Sequence, residues 1–172
     1  MDSRTGLGRF RDFRISNNEL MMDLIEACIR HASVEDILAL PDVAARVVLY
    51  REQRDPFVAQ LRRVCRLPGD VVVVDLRGED VIHAGNRFMV YALLPEARVS
   101  VHLILGREGR NTVLAAGRSI VDRSSTSDIG AAMLRHGGGG HRAAGTCQVA
   151  HERAAAVLAA VIAELGSSPV PA

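Results

Sequence analysis

Residues 137–145 read Gly-Gly-Gly-Gly-His-Arg-Ala-Ala-Gly, and the neighbouring elements are arranged around this run. Each glycine in a helix costs about 1 kcal/mol relative to alanine, so the run ends the helix that is predicted before it. Without a Cβ, the backbone can adopt φ > 0 and let a ligand contact its N–H groups. Successive N–H groups that point inward form a nest for anions. His141 adds a ring donor that can carry a positive charge.

Two interpretations of this glycine–histidine motif stay open at this point. It is either a phosphate cradle, or a helix C-cap that extends into a flexible link beside an ordinary histidine. A Walker loop is excluded because no Lys-Ser or Lys-Thr pair follows the last glycine. A dinucleotide fingerprint is excluded because the glycines follow a helix pattern and not a strand.

Composition bounds the class of protein. The chain has 172 residues and a net charge of +1, which predicts one domain, with or without an appendage, and argues against a strongly basic nucleic-acid binder. Cys28, Cys65 and Cys147 lie among apolar residues and are predicted to be buried free thiols. No apolar run approaches the about 18 residues of a membrane span, and no signal peptide opens the chain, so a cytoplasmic location is expected.

Residues 1–67 are predicted to be a helical segment. Helical spacing over 19–31 indicates a core stripe of Met21, Leu24, Ile25 and Cys28. Ser33 can cap a second helix that Pro41 ends, and a third begins near Val43. Asp55-Pro56 predicts a kink or a fresh helix that continues to about Leu67.

Residues 68–166 are predicted to form a mixed β-sheet flanked by helices, an α/β fold with α+β as the alternative. The run 71–76 has the β-branched composition of a strand that is buried on both faces. A short helix over 85–94 is followed by a hairpin of strands 98–105 and 111–116, in which His102 is predicted to be a sheet-surface residue and not a ligand. The remaining predicted elements are a helix over 129–135, a strand over 143–149, a helix over 152–165 and a disordered tail over 167–172.

Two further sites are considered from the residues alone. Arg118, at a strand end beside Gly117, can reach a phosphate bidentately, and a surface salt bridge is the alternative. His136, His141 and Cys147 suggest a zinc site, but their spacings fit no standard finger and no fourth ligand is apparent, so no metal is predicted.

The motif Gly138-Gly139-Gly140-His141, followed by 143–145, resembles the GGGH signature of the C-terminal domain of DHH-family phosphoesterases. The likeness is greatest to the exopolyphosphatase-like and oligonucleotide-degrading members and covers roughly 68–166. Gly117-Arg118-Ser119 is similar to a second element of that domain. The start of the chain, with Asp2, resembles the last motif of the catalytic DHH domain, where Asp2 would match a metal-binding aspartate.

The resemblance implies a substrate-binding domain, with Gly138, Gly139, Gly140 and His141 holding a phosphate and with Arg118 and Ser119 as helpers. The implied ligand is an oligonucleotide, a dinucleotide or polyphosphate. The catalytic partner of such a domain holds Mn²⁺, and the Asp-His-His motif of that partner is absent from this sequence. We therefore expect a fragment that is inactive alone and has no cofactor of its own, because a two-metal site needs several ligands and Asp2 is only one.

An alternative interpretation is a non-catalytic module that binds RNA or tRNA or that mediates oligomerisation, for instance as a homodimer. It is based on the resemblance of this domain to the C-terminal domain of alanyl-tRNA synthetases. Steep salt dependence of RNA binding would favour that reading.

Overall fold

The computed structural model describes residues 13–166. The predictions made for Asp2 and for the tail 167–172 lie outside the described residues.

Four helices form the N-terminal part of the described chain. They are α1 (Asn17–Ile29), α2 (Val34–Ala39), α3 (Pro41–Glu52) and α4 (Arg54–Val64). Ser16 and Ser33 cap α1 and α2 with reciprocal capping boxes, in which each serine accepts a backbone N–H bond and an acidic side chain binds back. As predicted, the second helix ends before Pro41, at Ala39. Pro41 then opens α3, slightly before the predicted start near Val43, and its missing N–H costs nothing at that position.

The predicted core stripe of α1 is wrong in most of its members. Met21 and Ile25 are 55% and 46% exposed, Cys28 is exposed and Leu24 is half-buried. The buried positions of this helix are Leu20 and Ala27. Helical spacing identifies an apolar face, but only the neighbouring elements determine which part of that face is covered.

The three cysteines are free and differ in burial. Cys147 is buried, as predicted, whereas Cys65 is half-buried and Cys28 is exposed. Burial raises the pKa of the Cys65 thiol to about 11. The prediction of three buried thiols is therefore confirmed for Cys147 only.

The second part of the chain is a mixed six-stranded sheet, which confirms the predicted fold class. The strands lie in the order β1-β2-β3-β4-β6-β5, and all neighbours are antiparallel except the parallel pair β2–β3. The strands are β1 (Cys65–Arg66), β2 (Val71–Asp75), β3 (Val99–Leu105), β4 (Thr112–Arg118), β5 (Gly139–His141) and β6 (Ala144–Val149). The remaining helices are α5 (Met89–Leu93), α6 (Ile129–Leu134) and α7 (His151–Leu165).

The two faces of the sheet are covered unequally. On one face, side chains of β2, β3, β4 and β6 pack against α6 and α7, through residues such as Leu103, Met133 and Val161. On the other face, Val72 and Val74 pack with side chains of α4 and α5. The strand β2 is thus buried on both faces, as predicted. The cluster of α4 and α5 contains no residue of β4, β5 or β6, so this part of the second face is the floor of a cavity.

The glycine run has two structural roles in succession. Gly137 adopts φ +79°, and the N–H of Gly138 donates to the carbonyl of Met133 at 3.0 Å, which ends α6. The chain then enters β5, which lies at the edge of the sheet and pairs with β6 through a tight turn at 142–143. The helix-cap interpretation is therefore correct for the first half of the run, and the second half is a strand rather than a flexible link.

Close backbone contacts explain why glycine is needed here. A Cβ on Gly138 would overlap the backbone of Thr146, and one on Gly140 would overlap the backbone of Ala144. From the helix side, a Cβ on Gly130 would lie 2.9 Å from the carbonyl carbon of Gly140. A Cβ on Gly139, in contrast, would have no atom within 4 Å.

No helix within residues 13–166 is long and apolar enough to cross a membrane.

The substitutions Gly138→Ala and Gly139→Ala form a matched pair. Gly138→Ala should lower the free energy of unfolding by about 1–3 kcal/mol, because the added methyl group overlaps backbone that cannot move aside. Gly139→Ala should change it by less than about 0.5–1 kcal/mol, because its methyl group enters open space. Urea unfolding of both variants measures the difference, and equal losses would contradict the packing described here.

Candidate functional site

The glycine–histidine motif borders a cavity of about 610 Å³ on the uncovered part of the sheet. Its lining includes Gly139, Gly140 and His141 from the motif, together with residues of β3, β4, β6 and the segment that leads into α5. The ionisable side chains among its described lining residues are Arg87, Arg118, Tyr91 and two histidines, and no carboxylate is among them. A cavity with this balance of charge favours anions.

Two rows of directly opposed residues form the floor. One row crosses the strands from His102 through Ala115 and Thr146 to Gly139. The next row runs from Ser100 through Gly117 and Ala144 to His141. Opposed residues in a sheet present their side chains to the same face, so both histidines lie on the cavity side.

The middle of the floor is low because its side chains are small. Ala115, Gly117 and Ala144 separate the two histidines, which stand at opposite ends of the two rows. Three strand spacings of about 4.8 Å place the backbones of His102 and Gly139 roughly 14 Å apart. The cavity is therefore an elongated trough with one histidine near each end.

His141 is exposed at the edge strand and its ring is oriented by its own turn. The backbone N–H of Ala143 donates to Nδ1 of His141 at 3.2 Å. When Nδ1 accepts a hydrogen bond, the neutral ring carries its proton on Nε2, which is then a donor. Nε2 has no hydrogen-bond partner within residues 13–166, so this donor is available to a ligand at the cavity edge.

The three glycines of the predicted cradle differ in what they can offer. Gly138 does not line the cavity, and its N–H is engaged at the end of α6. Gly139 and Gly140 do line it, and β5 is an edge strand whose outer side has no strand partner among the described residues. Backbone N–H groups on such an edge can donate to a ligand.

Arg118 and Ser119 lie at the end of β4 and have structural partners. The guanidinium of Arg118 donates from Nε at 2.8 Å, and also from a terminal nitrogen, to the carbonyl of Ser127, which ties the strand to the loop before α6. Arg118 also borders the cavity, and its remaining N–H groups can serve a ligand. Ser119 is buried outside the cavity lining, and its hydroxyl accepts the N–H groups of Val121 and Asp122.

Tyr91 links helix α5, at the side of the cavity, to the strands that form the cavity floor. Its buried hydroxyl donates to the carbonyl of Gly117 at 2.7 Å and lies 2.8 Å from the hydroxyl of Ser100. Burial raises the pKa of this phenol, which keeps it neutral and a donor. Sequence reasoning missed Tyr91, because nothing in a short helix indicates that its aromatic residue reaches two strands.

His102 is on the sheet surface, as predicted, and that surface is the cavity floor. Burial, with a smaller contribution from Arg87, lowers the pKa of His102 from 6.5 to about 4. The ring is therefore neutral at physiological pH, with one donor and one acceptor nitrogen. The alternation of Ser100, His102 and Ile104 in the sequence marked a common face, but gave no indication that a cavity adjoins it.

The described residues do not supply a metal centre. No three His, Cys, Asp or Glu side chains within residues 13–166 converge as a metal site would require. His136, His141 and Cys147, considered above as zinc ligands, belong to no such group.

The depressed pKa of His102 predicts a pH dependence of stability. Between about pH 4 and 6.5 the unfolded chain binds a proton at this position and the folded chain does not, so this residue's contribution to stability falls as the pH falls through that window. We expect His102→Leu to gain stability relative to the wild type as the pH falls from 7 to 4. Urea unfolding midpoints of the wild type and of His102→Leu across this pH range measure the difference in stability, and His136→Leu is the control. Parallel curves for wild type and His102→Leu would contradict the prediction.

Comparison with known proteins places this geometry among phosphoesterases. No family model and no curated protein matched the sequence. Among solved structures, the chain is similar to the pGpG-specific phosphodiesterase PggH of Vibrio cholerae, with 51% identity and a TM-score of 0.81 over 95% of this chain. It covers 56% of that protein, so it spans little more than half of its relative's length.

A second solved structure shares the fold at a lower level. An exopolyphosphatase-related protein from Bacteroides fragilis matches with 16% identity and a TM-score of 0.53, over 86% of this chain and 44% of that one. At this identity the match concerns the fold alone. With the homology to the Vibrio phosphodiesterase, the resemblance first seen in the glycine–histidine motif is confirmed, and the chain belongs to the DHH-family phosphoesterases.

Proposed function

We propose that this chain forms the substrate-binding part of a phosphodiesterase and that its cavity holds a phosphate of a short nucleotide. The observation that carries the proposal is the lining of the cavity, in which arginines and histidines surround an exposed glycine backbone and the described residues include no carboxylate. The activity printed for the Vibrio relative suggests a 5′-phosphorylated guanine dinucleotide, pGpG, as the ligand to test first.

The proposed phosphate position is the edge of the trough at β5. Nε2 of His141 would donate to one phosphate oxygen. Of the consecutive residues Gly139 and Gly140, the one whose N–H is directed away from β6 would donate to another. A hydrogen bond to a charged group is worth about 1.5–3 kcal/mol, which suffices for measurable affinity when several act together. Gly138 would act indirectly, because it ends α6 and thereby places the strand that carries the donors.

Arg118 and Ser119 would have unequal parts. Arg118 would attract the phosphate by its positive charge and donate to it from the N–H groups that do not bind Ser127. Its hydrogen bonds to the Ser127 carbonyl keep the guanidinium in place. Ser119 would act through the turn at 119–122 and not by contact with the ligand.

Hydrolysis would require a catalytic partner domain. By its resemblance to the DHH family, that partner would carry Mn²⁺, and the residues described here would bind and orient the substrate against it. Residues 13–166 bring no three potential metal ligands together, so the partner domain would hold the Mn²⁺.

The substitution His141→Ala tests the phosphate site. We expect the Kd of a fluorescent pGpG to rise about tenfold or more, because one charge-assisted bond of at least about 1.4 kcal/mol is lost. Fluorescence anisotropy measures the Kd, and His136→Ala is the matched control, since His136 lies beyond α6 and outside the cavity lining. Binding by the chain should be the same with and without Mn²⁺.

An unchanged Kd in His141→Ala, with saturable binding by the wild type, would place the phosphate elsewhere and refute the site. Unfolding midpoints of both variants should stay close to that of the wild type, because His141 is exposed and His136 is only partly buried.

A further inference from the structure

The end of the trough opposite His141 has a different chemistry. Phe88, Tyr91 and Ile104 line this end, and His102 lies on the floor beneath them. The guanidinium of Arg87 stands 4.8 Å from the centre of the Phe88 ring, stacked on that aromatic face. Flat aromatic and guanidinium surfaces are the platforms on which nucleobases stack.

His102 is a polar group at this end whose ring nitrogens make no hydrogen bond within the described residues. Tyr91 and Ser100 bind one another, and Tyr91 also binds Gly117. The ring nitrogens of His102, by contrast, have no hydrogen-bond partner within residues 13–166. Neither nitrogen is a buried atom without a partner, so both are open to water or to a ligand in the cavity.

The neutral state of His102 fits a nucleobase better than a phosphate. Burial and, to a smaller extent, its neighbour Arg87 oppose protonation of His102, so the ring presents one donor and one acceptor. The polar edge of a base offers both donors and acceptors, whereas a phosphate offers acceptors only. Phosphate binding at this end would leave the acceptor nitrogen of His102 without a partner.

We propose that His102 is a specificity-determining residue that contacts the polar edge of a nucleobase of the bound nucleotide. The inference rests on the proposed function, because it requires the phosphate of the same ligand to lie near His141. The trough spans both positions along adjacent rows of the sheet.

The experiment compares two ligands by isothermal titration calorimetry on the full chain. One ligand is pGpG, and the other is the same sugar–phosphate dinucleotide with both bases replaced by hydrogen. The variants are His102→Leu, which keeps bulk and removes both polar atoms, His102→Gln, which restores a donor and an acceptor, and His141→Ala. The control is His136→Leu, outside the cavity lining.

We expect His102→Leu to weaken pGpG binding about fivefold or more and to leave the abasic ligand within about twofold of the wild type. His102→Gln should lie closer to the wild type than His102→Leu. His141→Ala should weaken both ligands by the same factor, because it removes a phosphate contact that they share. Tripolyphosphate should bind no tighter than the abasic ligand.

The two proposals fail in different ways. If His141→Ala weakens both ligands while His102→Leu weakens neither, or weakens both equally, the phosphate site stands and the base-reading role of His102 is overturned. If His141→Ala changes neither ligand, or the wild type binds neither, the proposed function is overturned and the role of His102 with it.

Discussion

The contact between α6 and the edge strand β5 is the constraint on which the site depends. Gly130 on the helix and Gly140 on the strand let two backbones approach until a single Cβ would be in contact with a carbonyl group. Side chains cannot fill such an interface, so its geometry is set by the main chain itself. That geometry holds the tight hairpin of β5 and β6, and the hairpin in turn positions His141 at the edge of the cavity.

Because the two faces of the sheet are covered unequally, the edge strand borders an open cavity that can bind a ligand. The two C-terminal helices bury one face almost along its whole width, and that cluster provides the larger share of the core. Helices α4 and α5 cover only the β2–β3 side of the other face. The cavity face can therefore stay exposed, because the same strands already pack against α6 and α7 on their opposite face. Small residues on β4 and β6 keep this open part concave.

Both ends of the trough use a histidine, and the surroundings give the two rings different chemistry. His141 is exposed, and its Nδ1 accepts the Ala143 N–H, so the neutral ring carries its donor on Nε2. His102 is partly enclosed, and its depressed pKa keeps donor and acceptor together. A residue type thus acquires its role from solvation and from hydrogen bonds, which the type itself does not specify.

Local signals in the sequence were sufficient to predict several helices and strands. The glycine run marked the end of α6, the β-branched run marked β2, and Ser33 marked the start of α2. The motif also led to the family. The tertiary structure alone decided that the α1 stripe with Met21 and Ile25 is exposed, that Gly138 caps a helix instead of facing the cavity, and that Tyr91 and His102 belong to the site. The physical reason is that caps, turns and strand propensity act over a few neighbouring residues. Burial and cavity walls instead depend on elements far apart in the chain.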